Sequence, residues 1–287
     1  FPTRRSSDLL DVLRFRLDEL PVKVVCERRI VALHPAGARW EAAFEDGHAE
    51  RFDAVLVACG NAVTRSLLPD DLRFTPKHPR LCPIHTDRES VKGLDTIRVK
   101  GTASLLRGAD IIAKEQGEIQ FRSFGVSGIA VFDLSRFAQP GDVIRLDFLP
   151  EMSEIMTVDN LVKRIERFPK RSAEQVLAGM VLPAVARAVL RQAGIDAAGG
   201  LPVERTVDVA RRLKRYQVHV ERFEEKSAQV VQGGVAVDQV DPATMGLASL
   251  PGLFVLGEAL DVDGPCGGYN LHWAWTCGLL AGAAAAR

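Results

Sequence analysis

Neither sign of charge dominates this 287-residue sequence: 37 Lys and Arg residues balance 37 Asp and Glu. A chain without a net field has no broad attraction for nucleic acid or an anionic membrane, and neither is expected as a partner. Long apolar runs are also missing. The nearest approach, Leu271 to Ala286, is interrupted by His272 and rich in Ala and Gly, so the protein reads as soluble. Cysteine is scarce, with five residues at 26, 59, 82, 266 and 277 and no C-x-x-C pair. That spacing argues against a disulfide framework or a structural zinc site, predicts no metal, and fits a reducing cytoplasm. Cys26 and Cys59 close apolar runs and read as small buried residues. Internal repeats and low-complexity linkers are absent. So are an initiator Met and any G-x-G-x-x-G turn near the start.

The first nine residues, FPTRRSSDL, contain no apolar core of a signal peptide. The string resembles the in-frame translation of a sequencing adapter. Phe1 to Leu9 are therefore expected to be non-native, and the chain is expected to lack its natural beginning.

What is present alternates between two patterns. Leu10, Leu13, Leu17 and Leu20 form a helical stripe that Pro21 ends. VKVVC (22–26) and RIVAL (29–33) predict short strands, and RWEAAFEDGHAERF (39–52) a hairpin turning at Asp46-Gly47. DAVLVACGN (53–61) is apolar on both faces, as in a covered parallel sheet. The proline-rich, charged segment 69–92 reads as a crossover. Residues 94–149 predict a small barrel-like β-subdomain, with a short helix capped by Ser127 inside FGVSGIAVFDLSRF. Met152 to Gly194 is helical in pattern, with Asp159 and Ser172 as start signals and Gly194 as a stop. Segment 209–223 is expected to lead back to the first domain. Segment 226–245 predicts a strand, a Gly-Gly turn and a second strand. GLFVLGEA is a further strand, and Asn270 to Arg287 a helix buried on most sides. The order is a partial α/β region, an inserted β plus helical module, then a return to α/β.

The stretch LFVLGEALDVDGPCGGYNLHW (253–273) concentrates the unusual chemistry. Seven of the ten residues from Asp261 to Asn270 are Gly, Pro, Asp or Asn, more than a simple connector needs. Gly264, Gly267 and Gly268 permit close approach of backbone to a ligand. The unpaired N–H groups that begin the following helix favour an anion or the negative edge of a reduced flavin. Glu258, Asp261 and Asp263 would repel a free phosphate and suit a sugar or polyol instead. Taken alone, a helix cap built on a tight turn explains the glycines as well. His272, Trp273 and Trp275 read as packed or partnered. Cys266, near a helix N-terminus, is a candidate for a lowered thiol pKa, although no particular His is implied as its base.

The string PGLFVLGEALDVDGPCGGYNLHWAWTCGLLAG resembles the C-terminal signature of the BaiN-like, or aminoacetone-oxidase-type, FAD-dependent oxidoreductases. AVLVACG (54–60), FGVSGIAVFDLSR (124–136) and GGVAVDQVDPATM (233–245) match in the same order. The resemblance implies an α/β fold: an incomplete Rossmann-like FAD-binding domain with an inserted β-barrel-like plus helical domain. It divides the chain into residues 1–9, set apart as an artefact; 10–70, a partial FAD-binding domain lacking its N-terminal GxGxxG unit; 71–225, the insert (β-subdomain about 93–150, helical part about 151–200); and 226–287, the C-terminal part of the FAD-binding domain. It also implies that Gly257, Glu258, Asp263, Gly267, Gly268, Tyr269 and Asn270 surround the flavin and ribityl chain. Ala58 and Gly60 would lie near the FAD and the backbone at Ile30 near the adenine. Two departures stand out. The pyrophosphate turn and ribose-gripping acid are absent. After ACGN, the segment AVTRSLLPDDLRFTP is shorter than in the family and lacks glycine.

The sequence thus points to part of an FAD-dependent oxidoreductase, linked to NAD(P)H as electron donor, acting on a small molecule that no motif identifies. By itself the 287-residue chain is expected to purify without flavin and to be inactive. No catalytic acid or base is assigned; Tyr269 and His272 are the nearest candidates. The competing readings are a non-catalytic FAD- or nucleotide-binding module and a Cys266-dependent hydrolase.

Overall fold

The computed structural model describes residues 6–287; the adapter-like reading of Phe1 to Leu9 lies, for residues 1–5, outside them. The chain divides into two compact units. The first comprises the described residues up to Val55 together with Thr64–Asp71. It opens on helix α1 (Ser6–Asp18), whose Leu10, Leu13 and Leu17 stripe is exposed. Pro21 follows the helix end, as expected of a residue that cannot donate to the preceding turn. The VKVVC segment is irregular rather than a strand, with Val22, Val24 and Val25 exposed. β-branched residues form a strand only against a partner that takes up their backbone hydrogen bonds. Among the described residues no strand pairs with this segment. Strands β1 (Ile30–Ala36), β2 (Arg39–Phe44) and β3 (Ala49–Phe52) form an antiparallel sheet. The β2–β3 hairpin turns at Asp46-Gly47 as predicted: Phe44 N–H donates to His48 O at 2.8 Å. Leu33, Trp40 and Ala42 make its buried face.

Strand β4 (Val55–Val57) carries the chain into the second unit, Leu56–Val63 with Leu72–Arg287. The predicted covered strand is only three residues long, and Leu56 faces solvent on one side. Cys59 just beyond it is exposed, and so is Cys26; neither is the small buried residue its sequence context implied.

The segment read as a crossover contains β5 (Phe74–Arg80), β6 (Ile84–Thr86) and the short helix α2 (Arg88–Val91). Its prolines fit because β5 has a neighbour on one side only, in a two-stranded sheet, and Pro76 and Pro79 have no N–H to donate. Next come β7 (Arg98–Arg107), β8 (Asp110–Arg122), β9 (Gly125–Ser127), helix α3 (Ile129–Ser135) and β10 (Val143–Asp147). Gly128, not Ser127, is the N-cap of α3; Ser127 is the last residue of β9 and is buried. Helices α4 (Glu154–Arg167), α5 (Ala173–Leu177), α6 (Pro183–Gln192) and α7 (Thr206–Lys214) follow. Ser153 caps α4, accepting the Met156 N–H, while Asp159 sits inside the helix and pairs with Lys163. Ser172 caps α5 in a reciprocal box with Gln175.

Strand β11 (Tyr216–Phe223) does not lead away; it completes a closed barrel in the order β10-β11-β6-β9-β8-β7. All its pairings are antiparallel. The period-2 pattern dictates which side chains go inside: Tyr216, Val218 and Val220 are buried, Gln217 and His219 are not. They join Leu105, Ile119, Phe121, Ile144 and Leu146 in one core shared with Leu161, Val176, Val189 and Leu213 of the helices. Tyr216 Oη donates to Ser90 O at 2.5 Å within this core, and burial pushes its phenol up to about 12.

Beyond the barrel lie β12 (Val230–Val235), β13 (Gly246–Leu247), β14 (Leu250–Val255) and helix α8 (Tyr269–Ala285). Gly233 and Gly234 do not turn the chain: β12 runs straight through them against β5, with a register shift. A Cβ at Gly233 would lie 2.2 Å from Pro76 O, so glycine is required by backbone approach. Strand β14 stands between β13 and β4, and Leu256 N–H donates to Val57 O at 3.0 Å. Helix α8 was expected to be buried on most sides; only Cys277 and Ala281 are, while Leu271, Trp275 and Leu279 are exposed. No helix among the described residues is long and apolar enough to cross a membrane.

Candidate functional site

Between β14 and α8 the chain makes a single turn at Gly257–Ala259 and then runs irregularly to Gly268. Backbone bonds such as Asp261 N–H to Val235 O at 2.9 Å hold part of this segment, and side chains hold more of it. Glu258 Oε1 accepts the Val231 N–H at 2.8 Å, and Asp261 Oδ1 accepts the Gly233 N–H at 2.9 Å. Asn270 reaches back across the turn, accepting from Gly264 N at 2.8 Å and donating to Gly264 O at 3.0 Å. Asp133 Oδ1 accepts the Cys266 N–H at 2.7 Å. Arg136 donates from Nε to Asp263 Oδ2 at 2.9 Å and from Nη2 to Asp263 O at 3.1 Å. Trp273 Nε1 donates to Gly257 O at 3.2 Å. The three acids expected to face a polyol therefore have contacts within the chain: one oxygen each of Glu258 and Asp261, and the Asp263 carboxylate in an ion pair.

Four stretches of the chain, at residues 58–60, at Leu81, at 229–230 and between 256 and 278, surround a cavity of about 460 Å³. Of the expected cofactor residues, Ala58 and Gly60, Gly257 and Glu258, and Gly267, Gly268 and Asn270 all line it. Ile30, Asp263 and Tyr269 do not. Ile30 lies on β1 in the first unit and is exposed; Asp263 turns to Arg136, and the Tyr269 ring is exposed. Leu81, Gln229 and Val230 supply a wall that no motif announced. Lys77 was also invisible in the sequence: its Nζ donates to Asn61 O and Val63 O, each at 2.5 Å, and so holds the loop that carries Gly60.

The N-terminal end of α8 opens on the cavity through Gly267, Gly268, Asn270 and Leu271. Gly268 caps the helix in the left-handed conformation at φ 94°, without a side-chain cap, and the first turn contains no acid. Its partial positive charge is thus presented to the cavity rather than neutralised within the chain. His272 and Trp275 are exposed rather than packed, and Trp273 is half-buried.

Cys266 lines the same cavity, but burial and the Asp133 carboxylate push its thiol up, not down. Its Sγ lies 4.0 Å from Gln229 Oε1. The sequence-based idea of an activated nucleophile fails because neighbouring negative charge and desolvation act together against the thiolate.

The family described as HI0933-like protein Rossmann domain matches residues 1–284. A 3-dehydro-bile acid delta(4,6)-reductase from Clostridium scindens is 30% identical over 303 residues, covering 99% of this chain and 74% of the reductase. Ribosomal RNA dihydrouridine synthases also match: that of Escherichia coli is 30% identical over 58% of this chain and 43% of the synthase. That of Haemophilus influenzae is 27% identical over 55% and 40%. The chain spans less than half the length of either synthase.

Proposed function

Because the chain belongs to the HI0933-like Rossmann-domain family, we propose that its cavity seats the flavin end of FAD in an oxidoreductase. The observation that carries this reading is the convergence of Ala58 and Gly60 with Gly257, Glu258, Gly267, Gly268 and Asn270 on one cavity, at the open N-terminus of a 17-residue helix. The cavity's size is that of a small-molecule site. Its wall is apolar at Ala58, Leu81, Val230 and Leu256, as a flat ring requires. Gly60, Gly257, Gly267 and Gly268 leave bare backbone along it, and a Cβ at Gly60 would stand 3.7 Å from Glu258 Oε2.

When bound, flavin supplies hydride acceptance and onward electron transfer. The chain's own residues bind, orient and bias it. First-turn N–H groups of α8 favour negative charge at the ring edge, and the free oxygen of Glu258 is the acceptor available to a hydroxyl. Asp263 and Tyr269 act at one remove, as parts of the turn. The electron donor is proposed to be NAD(P)H and the substrate a small molecule. In this reading residues 10–70 and 226–287 belong to an FAD-binding domain, and 71–225, with the barrel and helices, to an insert. Segments from both sides of the barrel meet at the cavity, which supports that division. The five free thiols fit a reducing cytoplasm.

Titration of FAD with the 287-residue chain, followed by flavin fluorescence, tests the site. The expected result is saturable quenching at one flavin per chain, with FMN competing and ADP not. Absence of saturation, or equal competition by ADP, overturns the reading. In a chain that also carries the pyrophosphate turn, anaerobic NAD(P)H should bleach the visible band of bound flavin. Binding without bleaching by either nucleotide would favour a module that holds flavin without NAD(P)H-linked turnover.

A further inference from the structure

The turn between Asp261 and Gly268 is held partly by two residues far from it in sequence, one on a short helix and one at that helix's C-terminal end. Asp133 of α3 and Arg136, the C-cap of that helix in αR conformation, lie three positions apart, about one helical turn, and so present themselves to the same neighbour. Asp133 accepts from Cys266 N at 2.7 Å; Arg136 grips both the carboxylate and the carbonyl of Asp263, at 2.9 and 3.1 Å. Both carboxylates are largely removed from water, so these contacts are stronger than exposed pairs.

The helix that carries them is itself firmly placed. Ala130, Val131 and Leu134 are buried in the barrel core. Its N-cap, Gly128, is so close to β8 that a Cβ there would lie 2.5 Å from Glu118 O. The turn, by contrast, has three glycines and no ladder of its own. A rigid element and a compliant one are thus joined at two points three residues apart, Asp263 and Cys266. These flank Gly264 and immediately precede Gly267 and Gly268, where the cavity and the N-terminus of α8 begin.

We propose that Asp133 and Arg136 are positioning residues for the flavin-binding turn, through which the barrel sets the placement of the α8 N-terminus. The proposal rests on the flavin reading above for its ligand, though not for its geometry. Neither residue lines the cavity, so each acts through the backbone of residues 263–266.

The test uses the full 287-residue chain with Asp133→Ala, Asp133→Asn and Arg136→Ala. Ala is a good helix former and should leave α3 intact, while Asn keeps the acceptor oxygen for Cys266 N–H. Hydrogen exchange is read by mass spectrometry over residues 261–272, with the barrel strands β7 and β8 as internal reference, alongside the dissociation constant for FMN. Loss of a buried charge-assisted hydrogen bond predicts about tenfold faster exchange in the turn and about tenfold weaker FMN binding for Asp133→Ala and Arg136→Ala. Asp133→Asn should stay close to wild type in both, and the barrel should be unchanged in all three. Unchanged exchange in the turn overturns the proposal, as does a parallel rise in the barrel, which would make both residues merely structural. Should wild type bind no FMN, the flavin reading falls while the exchange data still judge the clamp. Should the turn loosen with FMN affinity intact, the positioning role falls alone.

Discussion

At Gly233 a single methyl group distinguishes two outcomes. Its Cβ would lie 2.2 Å from Pro76 O and 2.9 Å from Lys77 Cα, both backbone atoms of the paired strand, at φ 99°. Gly108, at φ 61°, has open space around the same position. Gly233→Ala should therefore destabilise by about 3 kcal/mol, combining overpacking with left-handed strain, and Gly108→Ala by about 1 kcal/mol. Urea unfolding midpoints for the two variants check this, and equal losses would mean that β5 and β12 can part without penalty. The Gly-Gly pair was visible in the sequence, but its reason was not. A turn and a close strand crossing both call for glycine, and only the position of Pro76, more than 150 residues earlier, separates them. Cys266 shows the same limit. Its place near a helix start is legible, whereas the burial that raises its pKa, and the Asp133 carboxylate of a distant helix that adds to it, are not.

Among the elements, a buried acid adds a side-chain link to the ladder that pairs β10 with β7. Asp142, just before β10, takes two hydrogen bonds from the Arg107 guanidinium of β7, both at 2.9 Å, and one from Gln139 N–H at 2.8 Å. Burial alone would raise this carboxyl, but Arg107 and the Gln139 N–H outweigh it and hold the group below its ordinary value. A carboxyl depressed in the folded state binds its proton more readily when unfolded. Its contribution to stability is therefore complete above the unfolded pKa and lost as pH falls through the folded one. Asp142→Asn should be less stable than wild type by about 1–3 kcal/mol at pH 7, the gap narrowing below about pH 4. Unfolding free energies measured from pH 7 to pH 3 show it; a gap constant across that range would mean that the charge contributes nothing. Elements whose signals are local were legible: the Asp46-Gly47 hairpin, the Ser172 cap and the three main strands of the β-subdomain. Helix α4 was found but its cap was misplaced from Ser153 to Asp159, because several polar residues near a helix start satisfy the same local pattern.

On the scale of the whole chain, α8 presents an apolar face to solvent along Leu271, Trp275 and Leu279, spaced four apart on one side of the helix. Apolar surface left in water drives association. Leu279 is 72% exposed, so Leu279→Glu should change stability by less than about 0.5 kcal/mol. It should also lower the light scattering of concentrated solutions; unchanged scattering would show that this face does not mediate self-association. The family and the glycine-rich turn were readable from the sequence alone, because residues 253–273 encode their backbone demands among near neighbours. The sequence also determined the hairpin and the helix stops at Pro21 and Gly194, all set by short-range sterics. Only the tertiary structure decided that Ile84–Thr86 and Tyr216–Phe223 close the barrel, that VKVVC stays unpaired, and that Asp263 faces Arg136 instead of the cavity. Each of those outcomes depends on which distant backbone or charge arrives alongside, and a residue's neighbours in sequence do not specify its neighbours in space.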